Sequence, residues 1–470
     1  MGSLDNQKEA VRVYARNRFD FGREAGRVAG RRSRALVKAL SSLAKRDVRA
    51  SAIAAQASRQ SLFAAQSELN EEIRGLAQAL NMDATDLAAT SALACSILVP
   101  GCTNFAAAPP ATSDGQVMTS WNFDVPPYFR VLMGSFPMFV RELEGTIPYL
   151  CMGVPALFGI GILNAEGLSS VVNAVGMTDD GPGLSPFELN NIAMETCRSV
   201  DEAAAVFRDR PRRIMKAMYM GMLFNWNTIW ADTRGGLSVF ECSHNHFHQE
   251  KAGPDANLAS ANHHQFLDHS LTGSVDPSQD PLITGSYSRL PRMYALLREF
   301  HGSIDPFVAK RIISDHVPDY SELQEYGIER EWWQEKVDDS TICAHAWNLR
   351  RHLSKGELEL ATEEVGMSWT VYSFQVRPQR MTVWFTDGHP CRRLTTPYYW
   401  GRLLGAECEP DPGALDPASR STRPEGARRG LFMEQSARGY GAALEKALMG
   451  VTDAVEKQRA RKHPPGTPLP

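Results

Sequence analysis

The sequence predicts an α+β sandwich, in which two packed β-sheets lie between layers of helices. Predicted strands fall in two groups, one between residues 102 and 250 and one between 342 and 385. The predicted helices of this region lie between those strands, chiefly at 185–207 and 287–315. A sheet must bury one face against another element, so strands at both ends with helices between them favour layered sheets.

The N-terminal 101 residues have a different pattern from the rest of the chain. Apolar residues recur at helical spacing, clearly so over 71–80. Asp83 or Thr85 is suited to cap a further helix over 86–95. We therefore predict an all-helical segment over residues 1–101.

From residue 102 onward the pattern turns to short alternating segments and a few helices. Strands are predicted at 102–107, 117–123, 128–132, 139–142, 157–163, 169–175, 225–232, 236–242, 247–250, 342–347, 368–376 and 380–385. Helices are predicted at 185–197, 200–207, 287–300 and 306–315. The main domain is thus expected over 102–408, and 409–470 is expected to be a linker, a helix at 440–462 and a disordered end.

Composition and charge exclude several classes of protein. With 470 residues, 43% hydrophobic and 22% charged, the chain has the composition of a globular protein, and its net charge of -4 does not favour nucleic acid or an anionic membrane as a partner. The longest uncharged run, 147–164, contains Pro155 and three glycines, which indicates buried strands and not a membrane span. Eight cysteines without a CxxC pair indicate neither a disulfide framework nor a zinc site. These features, with no secretory signal after Met1, favour a reducing, cytoplasmic compartment.

The dipeptide Gly101-Cys102 lies at the border between the helical segment and the β-rich part. Glycine has no Cβ, so a neighbouring thiol can approach its carbonyl closely. Attack by the Cys102 thiol would give a thioester by an N-to-S shift, and water would release Cys102 as a new N-terminus. That residue would carry a thiol with a pKa of about 8.5 and an α-amine with a pKa of about 8, so that one can act as base for the other.

The residues around this junction resemble a known family. Gly101-Cys102-Thr103 and Asn122-Phe123-Asp124 are similar to the autoprocessing site of the isopenicillin-N acyltransferase family (acyl-coenzyme A:6-aminopenicillanate acyltransferase), which are N-terminal-nucleophile hydrolases. The order of the later motifs agrees, from about residue 86 to about residue 397. These motifs are Gly159–Leu168, Ala231-Asp232-Thr233, Phe240-Glu241, Asn262-His263, Ser286-Tyr287-Ser288-Arg289, Thr341-Ile342-Cys343 and Gly388-His389-Pro390.

The resemblance implies the four-layer αββα fold of the N-terminal-nucleophile hydrolases. It also implies a zymogen that cleaves itself between Gly101 and Cys102, with residues 1–101 kept as a noncovalent subunit. The activity would be that of an amidohydrolase or acyltransferase acting on a small-molecule amide or acyl thioester through an acyl-Cys102 intermediate. Such a mechanism requires no cofactor. Assembly into a higher oligomer is left open.

Three further residues are candidates for this chemistry by their place in the motifs. Asp124 would hold the α-amine and thiol of Cys102, and Asn262 would donate to the oxyanion through a side-chain amide that carries no charge. Arg289 would be a fixed positive charge that lowers the thiol pKa or pins Asp124. His263 is expected to support Asn262. Related enzymes often carry an arginine a few residues before the aspartate, whereas this chain has Ser120-Trp121 there.

Two other functions remain open from the residues alone. His244, His246 and His248 alternate and, on one strand face, could hold zinc or copper, which would make the protein a metal-dependent enzyme. The second alternative is a non-catalytic scaffold of the same fold, in which the junction stays uncut and the thiol unreactive.

Overall fold

The structure is a computed structural model. It describes residues 11–28, 69–88, 101–125, 137–155, 158–216, 223–274, 284–319, 341–344 and 369–417, together with residues 37, 90, 133 and 321.

Fifteen strands and eight helices are named within these ranges. The strands are β1 (Val11–Ala15), β2 (Gly101–Ala107), β3 (Met118–Val125), β4 (Met138–Leu143), β5 (Tyr149–Val154), β6 (Phe158–Asn164), β7 (Ser169–Gly176), β8 (Met215–Lys216), β9 (Leu223–Ala231), β10 (Leu237–Cys242), β11 (Phe247–Lys251), β12 (Asn257–Ser260), β13 (Trp369–Arg377), β14 (Thr382–Asp387) and β15 (Thr396–Tyr399). The helices are α1 (Arg18–Val28), α2 (Leu69–Leu80), α3 (Pro186–Thr196), α4 (Val200–Asp209), α5 (His269–Thr272), α6 (Thr284–Glu299), α7 (Pro306–Ile313) and α8 (Gly401–Leu404). Within the same ranges, no helix has both the length and the apolar character needed to cross a membrane.

The strands form two sheets. The first sheet has the order β1-β4-β5-β6-β7-β9-β10-β11, with β8 paired to β9, and the second sheet has the order β12-β2-β3-β13-β14-β15. The pairing of β1 with β4 is parallel, and the pairings within the second sheet are antiparallel.

Three apolar cores separate four layers. The core between the two sheets includes Leu150, Ile162, Val171 and Ile229 of the first sheet and Trp121, Phe123, Phe374 and Val383 of the second. An outer core joins α3 and α4 to the first sheet through Leu189, Phe207, Trp230 and Phe240. Another joins α6 and α7 to the second sheet through Phe105, Met118, Leu297 and Ile312. The predicted αββα sandwich is confirmed.

Local sequence signals located most of these elements correctly. Ser185 caps α3 with a capping box that includes Glu188, and Asp83 accepts hydrogen bonds from the backbone N–H groups of Thr85 and Asp86, as a helix N-cap does. The predicted segments 128–132 and 440–462 lie outside the described residues, as does 345–347 of the predicted strand 342–347. Residues 342–344 of that predicted strand are not in a strand, so the prediction is wrong there.

The prediction of an all-helical N-terminal segment is wrong at one place. Residues 11–15 form β1, which pairs with β4 from Val11↔Phe139 to Ala15↔Leu143. A partner nearly 130 residues away leaves no mark on local periodicity. The helices α1 and α2 of this segment pack closely, because a Cβ on Gly22 would clash with the Glu72 carbonyl and one on Gly75 with the Phe19 carbonyl.

A buried cluster of four charges joins the N-terminal segment to the main domain. Arg18 binds Glu72 at 2.7 Å and Glu195 at 2.5 Å. Arg141 of β4 binds the same two carboxylates, with a distance of 3.0 Å from its Nε to Glu195. Arg18 and Glu72 precede the Gly101-Cys102 junction in the sequence, whereas Arg141 and Glu195 follow it. The two positive and two negative charges balance within the cluster.

Replacing Arg141 by methionine is expected to lower the free energy of unfolding by about 3–5 kcal/mol, because Glu72 and Glu195 would remain buried with one cation for two carboxylates. The matched control is Arg12→Ala, which removes the exposed pair between Arg12 and Glu142 and should cost less than about 1 kcal/mol. Denaturant unfolding of both variants measures the difference. Equal small losses would show that the cluster contributes little.

Candidate active site

Cys102 lies near the start of β2, in the centre of the sandwich. Gly101 pairs with Asp124 and Cys102 with Phe123 on β3, so the Gly101–Cys102 peptide bond lies inside a paired strand. The Cys102 side chain is fully buried in the core between the sheets. The junction that the sequence indicates is therefore held in a fixed conformation.

Asn262 contacts the backbone of Cys102 directly. The Cys102 N–H donates to Asn262 Oδ1 at 2.9 Å, and Arg289 donates to the same oxygen at 2.6 Å. Asn262 Nδ2 donates to the carbonyl of Ala174 on β7 at 2.9 Å. Two donors on one side and a carbonyl on the other fix which end of the amide is oxygen. Asn262 thus accepts from the nitrogen that would become the α-amine. Its role as an oxyanion donor stays a prediction, and it would fall to the Nδ2 group.

Ser286 joins two of the sequence motifs into one unit. Its Oγ accepts the Asn262 N–H at 2.6 Å and lies 2.7 Å from His263 Nδ1. Three residues later on the same helix, Arg289 reaches Asn262 Oδ1. The His263 ring stacks on Tyr287, with centroids 3.8 Å apart. Burial and the neighbouring positive charges hold the pKa of His263 well below its ordinary value, so this imidazole is neutral behind Asn262.

Asp124 lies beside the nucleophile but on the outer side of β3. Thr370 Oγ1 donates to Asp124 Oδ1 at 2.6 Å, and Thr370 Oγ1 in turn accepts the Ala344 N–H at 3.1 Å. The charge of Asp124 acts on the Cys102 thiol. Its expected role as the acceptor for a free α-amine stays a prediction.

The surroundings of the Cys102 thiol mostly favour its protonated form. Burial is the largest cause that raises the pKa of this thiol, and the Asp124 carboxylate adds to it. Trp121, the Asp124 backbone and the Arg289 charge act in the opposite direction. The protonated thiol is therefore favoured, and the Arg289 charge acts against this preference. The expected role of Arg289 stays a prediction.

Asn173 is a candidate that the motif comparison missed. It lies opposite Asn227 on the paired strand, so both side chains point to the same face of the first sheet. On that face Asn227 Nδ2 donates to the His263 carbonyl at 2.7 Å. The Asn173 amide is fully buried, and within the described residues neither its oxygen nor its nitrogen has a hydrogen-bond partner. An unpaired buried amide is costly and suggests a site for a polar ligand atom. The available signal was an asparagine inside the apolar strand Ser169–Gly176.

Other motif residues close turns around the site. Asn164 Oδ1 accepts the N–H groups of Glu166 and Leu168 between β6 and β7, and its Nδ2 donates to two carbonyls near the end of α3. Between β9 and β10, Asp232 Oδ1 accepts the N–H groups of Arg234 and Gly236. Glu241 accepts three backbone N–H groups, from Gln265 to Leu267, and so holds the loop that follows Asn262-His263.

The three alternating histidines do not share a strand face. β11 begins at Phe247, so His244 and His246 lie in the turn before it. His244 Nδ1 binds the Arg212 carbonyl, whereas His248 Nε2 lies 3.0 Å from Glu250. The expectation that alternation aligns the three imidazoles is wrong, because the strand starts later than the pattern indicated.

A cavity of about 890 Å³ opens beside this region. Its lining includes His264, His269, Tyr287, Arg298 and Asp319. It shares Tyr287 with the helix that carries Arg289, but Cys102, Asp124 and Asn262 do not line it. The thiol itself has no exposed surface in the uncut chain.

Comparison with known proteins adds a family. Residues 138–316 match the family model described as acyl-coenzyme A:6-aminopenicillanic acid acyl-transferase. The stretch that matches the acyl-transferase family contains Asn262 and Arg289, and the hairpin with Cys102 and Asp124 precedes it. The predicted resemblance is confirmed over this range.

Two solved structures are similar to part of this chain. Penicillin V acylase from Agrobacterium tumefaciens is 13% identical, with 63% of this chain and 85% of that chain covered and a TM-score of 0.36. The R18L variant of conjugated bile acid hydrolase from Clostridium perfringens is 12% identical, with 65% and 95% covered and a TM-score of 0.38. Curated protein sequences gave no match.

Proposed function

We propose that this protein is an autoprocessing cysteine hydrolase or acyltransferase that forms an acyl-Cys102 intermediate. One observation carries the proposal: the backbone nitrogen of Cys102 is held by Asn262 Oδ1, which also binds Arg289. A residue with a nucleophilic side chain, whose nitrogen is held in advance, is what a new N-terminal nucleophile requires. The family match over 138–316 supports acyl chemistry.

Self-cleavage would proceed by an N-to-S shift. The Cys102 sulfur bonds to the Gly101 carbonyl carbon, the bond from that carbon to the Cys102 nitrogen breaks, and the nitrogen takes up the proton that the thiol lost. Water then adds to the thioester, which gives a Gly101 carboxylate and a free thiol. Because the pKa of the buried thiol is raised, loss of its proton is the step that the Arg289 charge assists.

The same parts would serve the substrate reaction. The thiol adds to the carbonyl carbon of an amide or thioester, the α-amine of Cys102 relays the proton to the leaving group, and water or an amine then takes the acyl group from sulfur. The proposed donors to the oxyanion are Asn262 Nδ2 and the fully buried amide of Asn173.

Intact mass under denaturing conditions tests the cleavage. We expect two chains, residues 1–101 and 102–470, that elute together under native conditions. The control is Cys151→Ala, which removes another buried thiol and should still be cut. A single 470-residue chain in an active, folded preparation would refute self-cleavage, and a single inactive chain that resists thiol reagents would favour the scaffold.

Acidic pH is expected to release the cut N-terminal segment. Burial alone would raise the pKa of Glu195, but Arg141 and Arg18 outweigh it and hold this pKa below the ordinary value of 4.5. A lowered carboxyl pKa contributes stability above pH 4.5, and this contribution is lost as the pH falls through the folded-state pKa. Size-exclusion chromatography should therefore show both chains together at neutral pH and show them separating only as the pH falls below 4.5 through the lowered pKa of Glu195. Release at neutral pH would contradict the role of the cluster.

Competing acceptors distinguish hydrolysis from transfer. A chromogenic acyl amide and an acyl thioester are each offered with and without a high concentration of a small amine. A transferase gives the new amide as the main product, whereas a hydrolase gives the free acid. If neither substrate acylates Cys102 in a cut protein, the proposed substrate class is wrong.

A further inference from the structure

Two late sequence motifs meet at a cluster that the proposed reaction does not use. Cys343 ends Thr341-Ile342-Cys343, and Cys391 follows Gly388-His389-Pro390. With His316, which lies just after α7, they place one nitrogen and two sulfurs within 4.8 Å of one another. The two Sγ atoms are 3.6 Å apart.

We propose that His316, Cys343 and Cys391 bind a zinc ion. Two thiolates on tetrahedral zinc, each with a bond of about 2.3 Å, are separated by about 3.8 Å, close to the separation found here. A histidine and two cysteines form a known zinc ligand set and leave a fourth position for water. Binding displaces the two thiol protons, so affinity rises with pH.

Two of the three proposed ligands are exposed, which gives the ion a route from solvent. Cys343 is buried, whereas His316 and Cys391 are exposed. A metal ion could therefore bind from the surface without unfolding the sandwich. The spacing of 27 and 48 residues between the ligands explains why a search for CxxC pairs found nothing.

The cluster lies behind the candidate active site. The residue after Cys343 is Ala344, whose N–H donates to Thr370 Oγ1 at 3.1 Å, and Thr370 in turn holds Asp124. The Cys343 N–H donates to the Asp315 carbonyl at 3.0 Å, next to His316. Zinc would thus tie residues 341–344 to the end of α7 and to the loop at 388–391, and so stabilise the segment that supports Asp124.

A disulfide between Cys343 and Cys391 would account for the arrangement of the three side chains less well than a zinc ion. The sulfurs would have to approach to about 2.05 Å, and the imidazole would have no part. The convergence of His316 on the same point favours a metal.

Cobalt substitution in the full-length, reduced Cys102→Ala protein tests the site. This background removes the proposed nucleophile, so the result is independent of the proposed function. After treatment with a chelator, one equivalent of Co²⁺ should produce thiolate-to-cobalt charge-transfer absorption and the intense visible bands of tetrahedral cobalt, and zinc should abolish both. Competition with a chromophoric chelator gives the zinc affinity.

Variants at the exposed ligands make the test specific. Cys391→Ser and His316→Ala should each weaken zinc binding by more than about tenfold, whereas Cys408→Ser and His301→Ala should bind like the parent. Thermal unfolding of each variant verifies the fold. If one of the two variants does not fold, the zinc affinity of the other still tests the site. Lack of the charge-transfer band, equal affinity in all variants, or a Cys343–Cys391 disulfide without metal binding would overturn the proposal.

Discussion

Cys102→Ala is expected to give one intact, inactive chain. Alanine offers no sulfur to attack the Gly101 carbonyl and none to carry an acyl group, so cleavage and substrate acylation should both disappear. Because Cys102 is fully buried, the lost sulfur should also lower the free energy of unfolding, by about 1 kcal/mol. Intact mass, single-turnover acylation and denaturant unfolding on one preparation give all three results.

Cys242→Ala is the matched control for that variant. Cys242 is as buried as Cys102 but lies in the outer core of the first sheet. Its replacement should cost a similar amount of stability while cleavage and acylation continue. A cut and active Cys102→Ala protein would exclude the whole mechanism.

Asn262→Ala is expected to slow acylation about 10²–10³-fold, the usual loss for one oxyanion donor. The variant also removes the oxygen that accepts from the Cys102 N–H and from Arg289, so self-cleavage should slow in parallel. Asn262→Asp keeps that acceptor but places a carboxylate against the Ala174 carbonyl. We expect it to be at least as damaging, since the charge also repels an oxyanion. Near-normal rates in the aspartate variant would mean that the acceptor role is the important one.

Asn164→Ala separates a catalytic asparagine from a structural one. Asn164 is fully buried and closes the turn between β6 and β7 through both ends of its amide. This variant should lose stability while the rate per folded molecule stays near that of the wild type. If Asn262→Ala behaves in the same way by thermal midpoint and single-turnover rate, Asn262 is also only structural.

The features that could be predicted from the sequence are those that depend on residues nearby in the chain. Ser185 and Asp83 cap helices because a cap requires only the next few residues, and the hairpin of β2 and β3 follows from alternation around a short loop. In the structure, Asn262 of the motif Asn262-His263 contacts the Cys102 backbone, and Arg289 contacts Asn262.

What was missed depends on distant partners. The short strands β12 and β15 exist because β2 and β14 offer them an edge, and four residues hold too little pattern to show it. Whether Asn262 accepts or donates is decided by Ala174, 88 residues away. The position of Asn173 opposite Asn227 is likewise visible only once β7 and β9 are paired.

The parallel strand β1 is expected to affect whether the main domain can be produced without the N-terminal segment. It covers one edge of β4, and it lies on the N-terminal side of Gly101-Cys102. A chain made from residue 102 onward would expose that edge to solvent, with the unpaired N–H and C=O groups that recruit strands from other molecules. Residues 11–15 thus cover this edge of β4, and we expect the main domain expressed without them to aggregate unless the N-terminal segment is supplied during folding.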